Sequence, residues 1–472
     1  MTIWLLQLPR LDDNFSWGLK EVQNILLNLK QSVDVIDINC EITKKFINTR
    51  HWDSIEDYGI KGKSNLPIND IIKIITKCIA PIKADDIVLS CVFTVESRSW
   101  FRLVHSLLRK KFGKKIILGA GGQGVKEPGN RFEDSEWADW VLSIGLASVI
   151  FIGETAKTIP DWVKGNFSFQ GKLYHQHQTF PSLGFLNPHL LKENFNRAKE
   201  VGYYDTSNSH VDEKHFHDGS VKIHFTQGCV KRCTFCDVWH TWPQFVMKDP
   251  HDVIKEIDYY NNNMNLTHIS FPDNTINASN SHFIQLLELF YDWKDKNNRH
   301  DITWSSQFAI KPVHQFPDEM FRLIAETKGE LSVGFDHASD SVLKHMKKLY
   351  GWSDVENFII RSNLNRVNIT KAVWMVGYPT ETNQDYDQYE KLIDFIQQEN
   401  TILAHNVQVT GINRGSALEK LVTIDFGRPN DWHNDLVDKK IRIDRKNNLD
   451  RRLQKLNTGY FQYRSTQVRA EL

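Results

Sequence analysis

Residues 225–236 read Phe225-Thr-Gln-Gly-Cys229-Val-Lys-Arg-Cys233-Thr-Phe-Cys236, and this stretch sets the terms for the whole chain. Half of the six cysteines lie in it; Cys40, Cys78 and Cys91 are far upstream, and none follows Cys236. Thiolates packed this closely suit a soft metal or an iron–sulfur cluster. A structural zinc site or an electron-transfer cluster takes four protein ligands, whereas a cubane held by three cysteines leaves one iron open to a ligand. His240, four residues beyond Cys236, keeps a second reading open: a four-ligand zinc or iron–sulfur module that binds nucleic acid without catalysis. The remaining cysteines are too few and too scattered for a disulfide scaffold and read as buried thiols.

Working outward, the motif follows an apolar run at 221–225 that opens a series of alternating elements. Strands are predicted at 221–225, 267–271, 302–305, 331–335, 371–375 and 406–409, with helices between them at 250–261, 283–294, 318–325, 352–362 and 382–397. Six βα repeats make a partial (β/α)6 TIM-type barrel, and the cysteines sit at the C-terminal end of its first strand, where such folds build their sites. Upstream, strands are predicted at 3–8, 33–38, 87–92, 116–118 and 140–144, and helices at 19–30, 68–78 and 100–111. That alternation predicts an N-terminal Rossmann-like, doubly wound parallel sheet. Gly119-Ala-Gly-Gly122 follows the fourth of these strands and reads as a tight turn where a ligand can approach. The fold class is thus α/β. Its expected domains are 1–164 (Rossmann-like), 165–219 (a polar linker with a short helix near 189–201), 220–420 (partial barrel) and 421–472 (a C-terminal helical tail).

Composition excludes several classes. Hydrophobic residues at 40% and charged residues at 25% are ordinary globular usage, which rules out a disordered or fibrous chain. Fifty-eight basic residues offset 58 acidic ones, so a dominant nucleic-acid or anionic-membrane partner is not indicated. No run approaches the roughly 18 apolar residues of a spanning helix, and residues 1–10 lack the basic start of a signal peptide. A cytoplasmic protein is expected. The linker histidines (His175, His177, His210, His215, His217) match no common zinc spacing, and the basic segment 439–452 reads as a solvated helix face.

The spacing Cys229-x-x-x-Cys233-x-x-Cys236, with Phe235 before the third cysteine, resembles the radical S-adenosylmethionine (SAM) superfamily. The likeness continues through Phe271-Pro-Asp-Asn-Thr-Ile276, Trp304-Ser-Ser-Gln307, Gly334-Phe-Asp-His-Ala-Ser339, Gly377-Tyr-Pro-Thr-Glu-Thr382 and Asn413-Arg-Gly-Ser-Ala-Leu418. It implies that the three cysteines hold a 4Fe–4S cluster. The open iron takes SAM, and a reductant such as flavodoxin or ferredoxin supplies the electron that yields a 5′-deoxyadenosyl radical. SAM contacts are implied at Phe235, Asp273, Asn274, Asp336, Ser339 and Gly377. The departures are Asp336 in place of Glu, Ala338 in place of Gly, and Phe308-Ala309 where a basic residue often follows the third strand. With no cysteine after Cys236, an auxiliary cluster in the C-terminal region is not expected.

The first 150 residues resemble the cobalamin-binding-type Rossmann domain that precedes many radical SAM barrels, through Leu8-Pro9-Arg10, Val35-Ile-Asp-Ile38, Ser90 and Ile117-Leu-Gly-Ala120. The resemblance makes cobalamin a candidate cofactor, with Ser90 and Gly119 near it, and methyl transfer a candidate reaction on an unknown substrate. The axial-ligand pattern Asp-x-His-x-x-Gly is absent, and the usual Gly-Glu-Gly-Glu is read at Gly145-Leu-Ala-Ser148.

Overall fold

The protein is described here from a computed structural model covering residues 1–9, 17–46, 68–92, 97–125, 135–175, 185–190, 219–236, 238–242, 244–399, 405–412, 416–424, 432–434 and 436–470. It divides into two compact units, Met1–Asp218 and Gly219–Leu472. Among the described residues no helix is long and apolar enough to cross a membrane.

The first unit is built on six parallel strands: β1 (Ile3–Gln7), β2 (Val33–Asp37), β3 (Ile87–Cys91), β4 (Ile117–Gly121), β5 (Val149–Gly153) and β6 (Gly171–His175). Their order, β2-β1-β3-β4-β5-β6, is doubly wound, with its switch point between β1 and β3. Residues on successive strand positions feed opposite faces, as the pleat requires. Leu6, Val88, Leu118 and Ile150 join the core on one face, while Leu5, Leu89, Val149 and Phe151 join the other. A parallel sheet covered on both sides reads as continuous apolar runs.

Two expectations need correcting here. Residues 140–144 are not a strand; they lie at the end of the helix Glu136–Ser143, which Ser135 caps by accepting the Ala138 N–H at 3.1 Å. The fifth strand is Val149–Gly153, and a sixth, Gly171–His175, lies in what reads as linker. The turn after the fifth strand is therefore Gly153-Glu154, not Gly145-Leu146, and it retains the first half of the Gly-Glu-Gly-Glu pattern. Of the linker histidines, only His175 is on a described element; most of the expected helix near 189–201 falls outside the described residues.

One buried polar group in this unit ties sheet to helix. His105, on the helix Ser97–Phe112, donates from Nδ1 to the Leu146 carbonyl at 2.9 Å, which leaves Nε2 to accept from Ser90 Oγ at 2.8 Å. Burial, then repulsion by Arg109, push its pKa from 6.5 down to about 3, against the Leu146 bond. The folded ring stays neutral where the unfolded one takes a proton, so stability falls as pH drops from 6.5 toward 3. Chemical denaturation across that window is expected to show the decline in the wild type and a shallower one in His105→Gln.

The second unit is a six-stranded parallel sheet in sequential order. Its strands are β7 (Ser220–Lys222), β10 (His268–Phe271), β11 (Thr303–Ala309), β12 (Gly329–Asp336), β13 (Asn368–Val376) and β14 (His405–Val409). Two-residue strands β8 (Thr226–Gln227) and β9 (Val246–Met247) pair antiparallel, so the cysteine segment is an excursion closed by a hairpin. The intervening helices start on ordinary caps. Asp249 accepts the His251 N–H at 2.8 Å with Pro250 behind it, and Thr382 caps Asn383–Asp387 in a reciprocal box with Asp385. Strands β15 (Thr423–Ile424) and β16 (Trp432–His433) pair antiparallel ahead of a helix, Lys439–Ala470, that packs on β13 and β14.

Candidate iron–sulfur and S-adenosylmethionine site

Every sequence-predicted residue of this site lies at the C-terminal ends of β10, β12 and β13 or in the excursion after β7. Gly228 opens the cysteine segment at φ +82°, and a Cβ there would sit 2.5 Å from the Gln244 carbonyl oxygen across the hairpin. Both the left-handed backbone and the contact demand glycine. Gly228→Ala is expected to lower unit stability by about 1–3 kcal/mol, measured by urea denaturation.

None of Cys229, Cys233 and Cys236 is in a disulfide; Cys233 is buried and the other two are half-buried. Cys229 Sγ is 3.3 Å from Thr275 Oγ1 and accepts the Lys231 N–H at 3.4 Å. The segment is pinned from several sides. Thr234 N–H donates to the Met346 carbonyl at 3.2 Å, and Thr234 Oγ1 shares a 2.6 Å bond with the Tyr378 hydroxyl. Leu418 N–H donates to the Thr234 carbonyl at 3.3 Å. Among the described residues no three His, Cys, Asp or Glu side chains converge on a single metal ion. A cubane asks for something different, since each thiolate binds its own iron. Three cysteines on one short loop, none in a disulfide, fit that demand.

Positive charge surrounds the thiols. Lys348 is bound to Asp336 Oδ2 at 2.6 Å, hydrogen-bonds the Cys233 sulfur, and lies 5.0 Å from the centre of the Phe235 ring. Burial works to lower its pKa, but Asp336 and Cys233 outweigh that and hold the ammonium above its ordinary value. Lys231 donates to the Ile310 carbonyl at 2.7 Å; burial, then repulsion by Lys348, bring it down to about 8. Lys311 is brought to about 8 by burial and by Lys231. A basic residue therefore does follow the third barrel strand, which runs to Ala309; Phe308 and Ala309 are strand residues, and Lys311 lies two positions past the end.

Asp336 is engaged on its own side. Its backbone is at φ +65°, and besides Lys348 its Oδ2 accepts from Tyr350 Oη at 2.6 Å. Asp273 is fully buried and takes the backbone N–H of Thr226 at 3.0 Å and of Phe225 at 3.3 Å, so its carboxylate fastens the start of the cysteine excursion. Its neighbour Asn274 is exposed. Ser339 caps the helix Asp340–His345 and donates from Oγ to Asp385 Oδ1 at 2.6 Å. Gly377, at φ +70°, makes room for Arg442, whose Cγ would lie 2.3 Å from a Cβ there.

In the first unit, Ser90 spends its hydroxyl on His105, and Gly119 lies inside β4 rather than in a turn. A Cβ at Gly119 would meet Leu89 Cδ2 at 2.7 Å and Val149 Cγ1 at 2.9 Å, so close strand packing accounts for the glycine. The residue that turns the chain is Gly122, at φ +110° against the Val92 carbonyl.

Sequence reading missed a buried trio. Glu381 Oε2 accepts from Gly377 N at 2.6 Å, Tyr378 N at 3.1 Å and His337 Nε2 at 3.3 Å, while its Oε1 accepts from Arg445 at 2.7 Å. Ser339 N–H donates to His337 Nδ1 at 2.9 Å, which fixes the tautomer that faces Glu381. Arg445 comes from the segment 439–452, read as a solvated face; its spacing from Arg442, one helical turn, was the available signal.

Comparison with known proteins places this geometry. Residues 223–393 match the family described as the Radical SAM superfamily. Among curated relatives, the ribosomal protein uS12 methylthiotransferase RimO of Hydrogenobaculum sp. (strain Y04AAS1) is 23% identical over 44% of this chain and 50% of its own length. The tRNA-2-methylthio-N(6)-dimethylallyladenosine synthase of Buchnera aphidicola subsp. Schizaphis graminum is 24% identical over 67% of this chain and 66% of its own. The chain spans about half the length of the first curated relatives it matches. In fold it is similar to the radical SAM methyltransferase TsrM from Kitasatospora setae, solved with cobalamin and a [4Fe-4S] cluster, at TM-score 0.56 and 13% identity, covering 88% of this chain and 73% of that one. It is also similar to the cobalamin-dependent SAM radical enzyme OxsB with aqua-cobalamin bound, at TM-score 0.53 and 12% identity, covering 89% and 55%. None of these supports the nucleic-acid-binding module with His240 as fourth ligand.

Proposed function

We propose, from the premise that this chain belongs to the radical SAM superfamily through the domain at residues 223–393, that it is an enzyme that cleaves SAM reductively and passes a methyl group, by way of cobalamin, to a substrate still to be identified. The observation that carries the reading is the set of three cysteines, none in a disulfide, on one pinned excursion at the C-terminal ends of the strands. The cluster, when bound, supplies the electron that cleaves SAM to methionine and a 5′-deoxyadenosyl radical.

The chain's own residues hold and orient. Cys229, Cys233 and Cys236 would ligate the cluster, and Lys348 and Lys231 offset the charge of the thiolates. Phe235, Asn274, Asp336, Ser339 and Gly377 would line the SAM site, with Asp273 fastening the loop beneath it. For cobalamin, support comes from the sheet order, since doubly wound sheets take ligands beyond the strand ends at the switch point. There the ends of β1 and β3 lie beside the Gly122 turn, with Ser90 and Gly119 supporting them from within the sheet.

Anaerobic reconstitution followed by dithionite and SAM is expected to yield 5′-deoxyadenosine or a methylated product. A chain that retains zinc instead and cleaves no SAM overturns the proposal. Titration with hydroxocobalamin, followed by gel filtration and a visible spectrum, is expected to show stoichiometric retention. If SAM is cleaved but no cobalamin is retained, the methyl-transfer half is removed.

A further inference from the structure

We infer that Arg445 is a positioning residue for the cysteine excursion, acting from the C-terminal helix through two buried side chains, Glu381 and Tyr378. The inference concerns the apo loop and rests on the proposed function only for what the loop would hold.

Each link is a direct contact in the structure. Arg445 donates from one guanidinium nitrogen to Glu381 Oε1 at 2.7 Å and from the other to Asn383 Oδ1 at 2.8 Å, so its plane is set by two acceptors. Glu381, fully buried, turns its second oxygen to the N–H groups of Gly377 and Tyr378. Those two bonds, with the Glu381 N–H on the Tyr378 carbonyl at 2.8 Å, wind residues 377–381 into a closed turn. The turn aims the Tyr378 hydroxyl at Thr234 Oγ1 (2.6 Å) and at the His345 carbonyl (3.2 Å). Thr234 stands directly after Cys233. Arg442, one helical turn before Arg445, fills the space behind Gly377 and lies 3.8 Å from the Trp432 ring centre. The helix therefore backs the turn with one arginine and charges it with the next.

A lysine can keep the charge of Arg445 but cannot reach Glu381 and Asn383 together, because it lacks the planar fork. Tyr378→Phe keeps the ring and removes the hydroxyl that meets Thr234 and the His345 carbonyl. Both changes should loosen the same loop without unfolding the barrel, and Cys233, buried in the native chain, reports it.

The test is iodoacetamide modification of Cys233 in the full-length, metal-free chain, followed by peptide mass spectrometry, with circular dichroism to verify folding. Arg445→Lys and Tyr378→Phe are each expected to speed modification by about fivefold, the opening expected from losing one ordinary hydrogen bond. The double variant should be no faster than either single one, because both cut one path. Additive rates, or an unchanged Cys233 rate in either folded variant, overturn the inference. Because the readout needs neither cluster nor SAM, its failure is distinguishable from failure of the proposed function.

Discussion

Cys233→Ala is expected to bring iron after anaerobic reconstitution from about four atoms per chain to below one, and 5′-deoxyadenosine to background. The second unit holds no other cysteine, since Cys40, Cys78 and Cys91 all fall in the first. Cys233 is also the buried member of the set, and its neighbour Thr234 is fixed by four partners, His345, Met346, Tyr378 and Leu418. Cys40→Ala, by contrast, should leave the iron content unchanged. Iron quantitation and the visible spectrum measure both. A wild-type value near eight atoms per chain would mean a second cluster and would break the one-cubane reading.

Arg445→Met should strongly destabilise the second unit, because Arg445 is itself buried. It strands the Glu381 carboxylate, which is 0% exposed, without its cation, and breaking such a buried pair costs about 3–5 kcal/mol. For a unit of this size that is a fall of about 6–20 °C in melting temperature. Arg452→Met removes a similar-looking pair with Glu390, but those side chains are 35% and 57% exposed. Water screens that pair, and its loss should cost less than about 1 kcal/mol. Calorimetry on both variants separates the two cases. An Arg445 effect no larger than that of Arg452 would show that the buried network does not carry the load assigned to it.

Much of this was legible in the residues themselves. The barrel strands and helices fall where the apolar spacing put them, because long elements repeat their period several times. The helix Ile68–Cys78 coincides with its expected range. The failures are short elements. Residues 140–144 carry four apolar side chains in five, a run too short to tell strand from helix. In the structure Trp140 and Ile144 point outward, while Ala138 and Val141 are buried at helical spacing. With that run read as the fifth strand, Val149–Gly153 has no role left to fill. At the site, cysteine spacing marks the candidate ligands because neighbours in sequence can act together. The trio His337, Glu381 and Arg445 stayed hidden because its members come from three separate elements. Arg445 in particular looks like every other base on a polar helix until its partner, 64 residues away, is known.

The sequential order of the second sheet also sets a timetable for synthesis. Each strand pairs with the one made just before it, apart from the short hairpin strands, so the barrel can assemble as it leaves the ribosome. The Glu381 turn is the exception. Its carboxylate is made 64 residues before the guanidinium that neutralises it, a delay of about 3–13 s at ordinary translation rates. During that interval the nascent barrel holds all three cysteines yet lacks the helix that steadies their loop. If Arg445 positions the loop as inferred above, cluster loading is expected to follow docking of the last helix, with the C-terminal segment as the clock for maturation of the site.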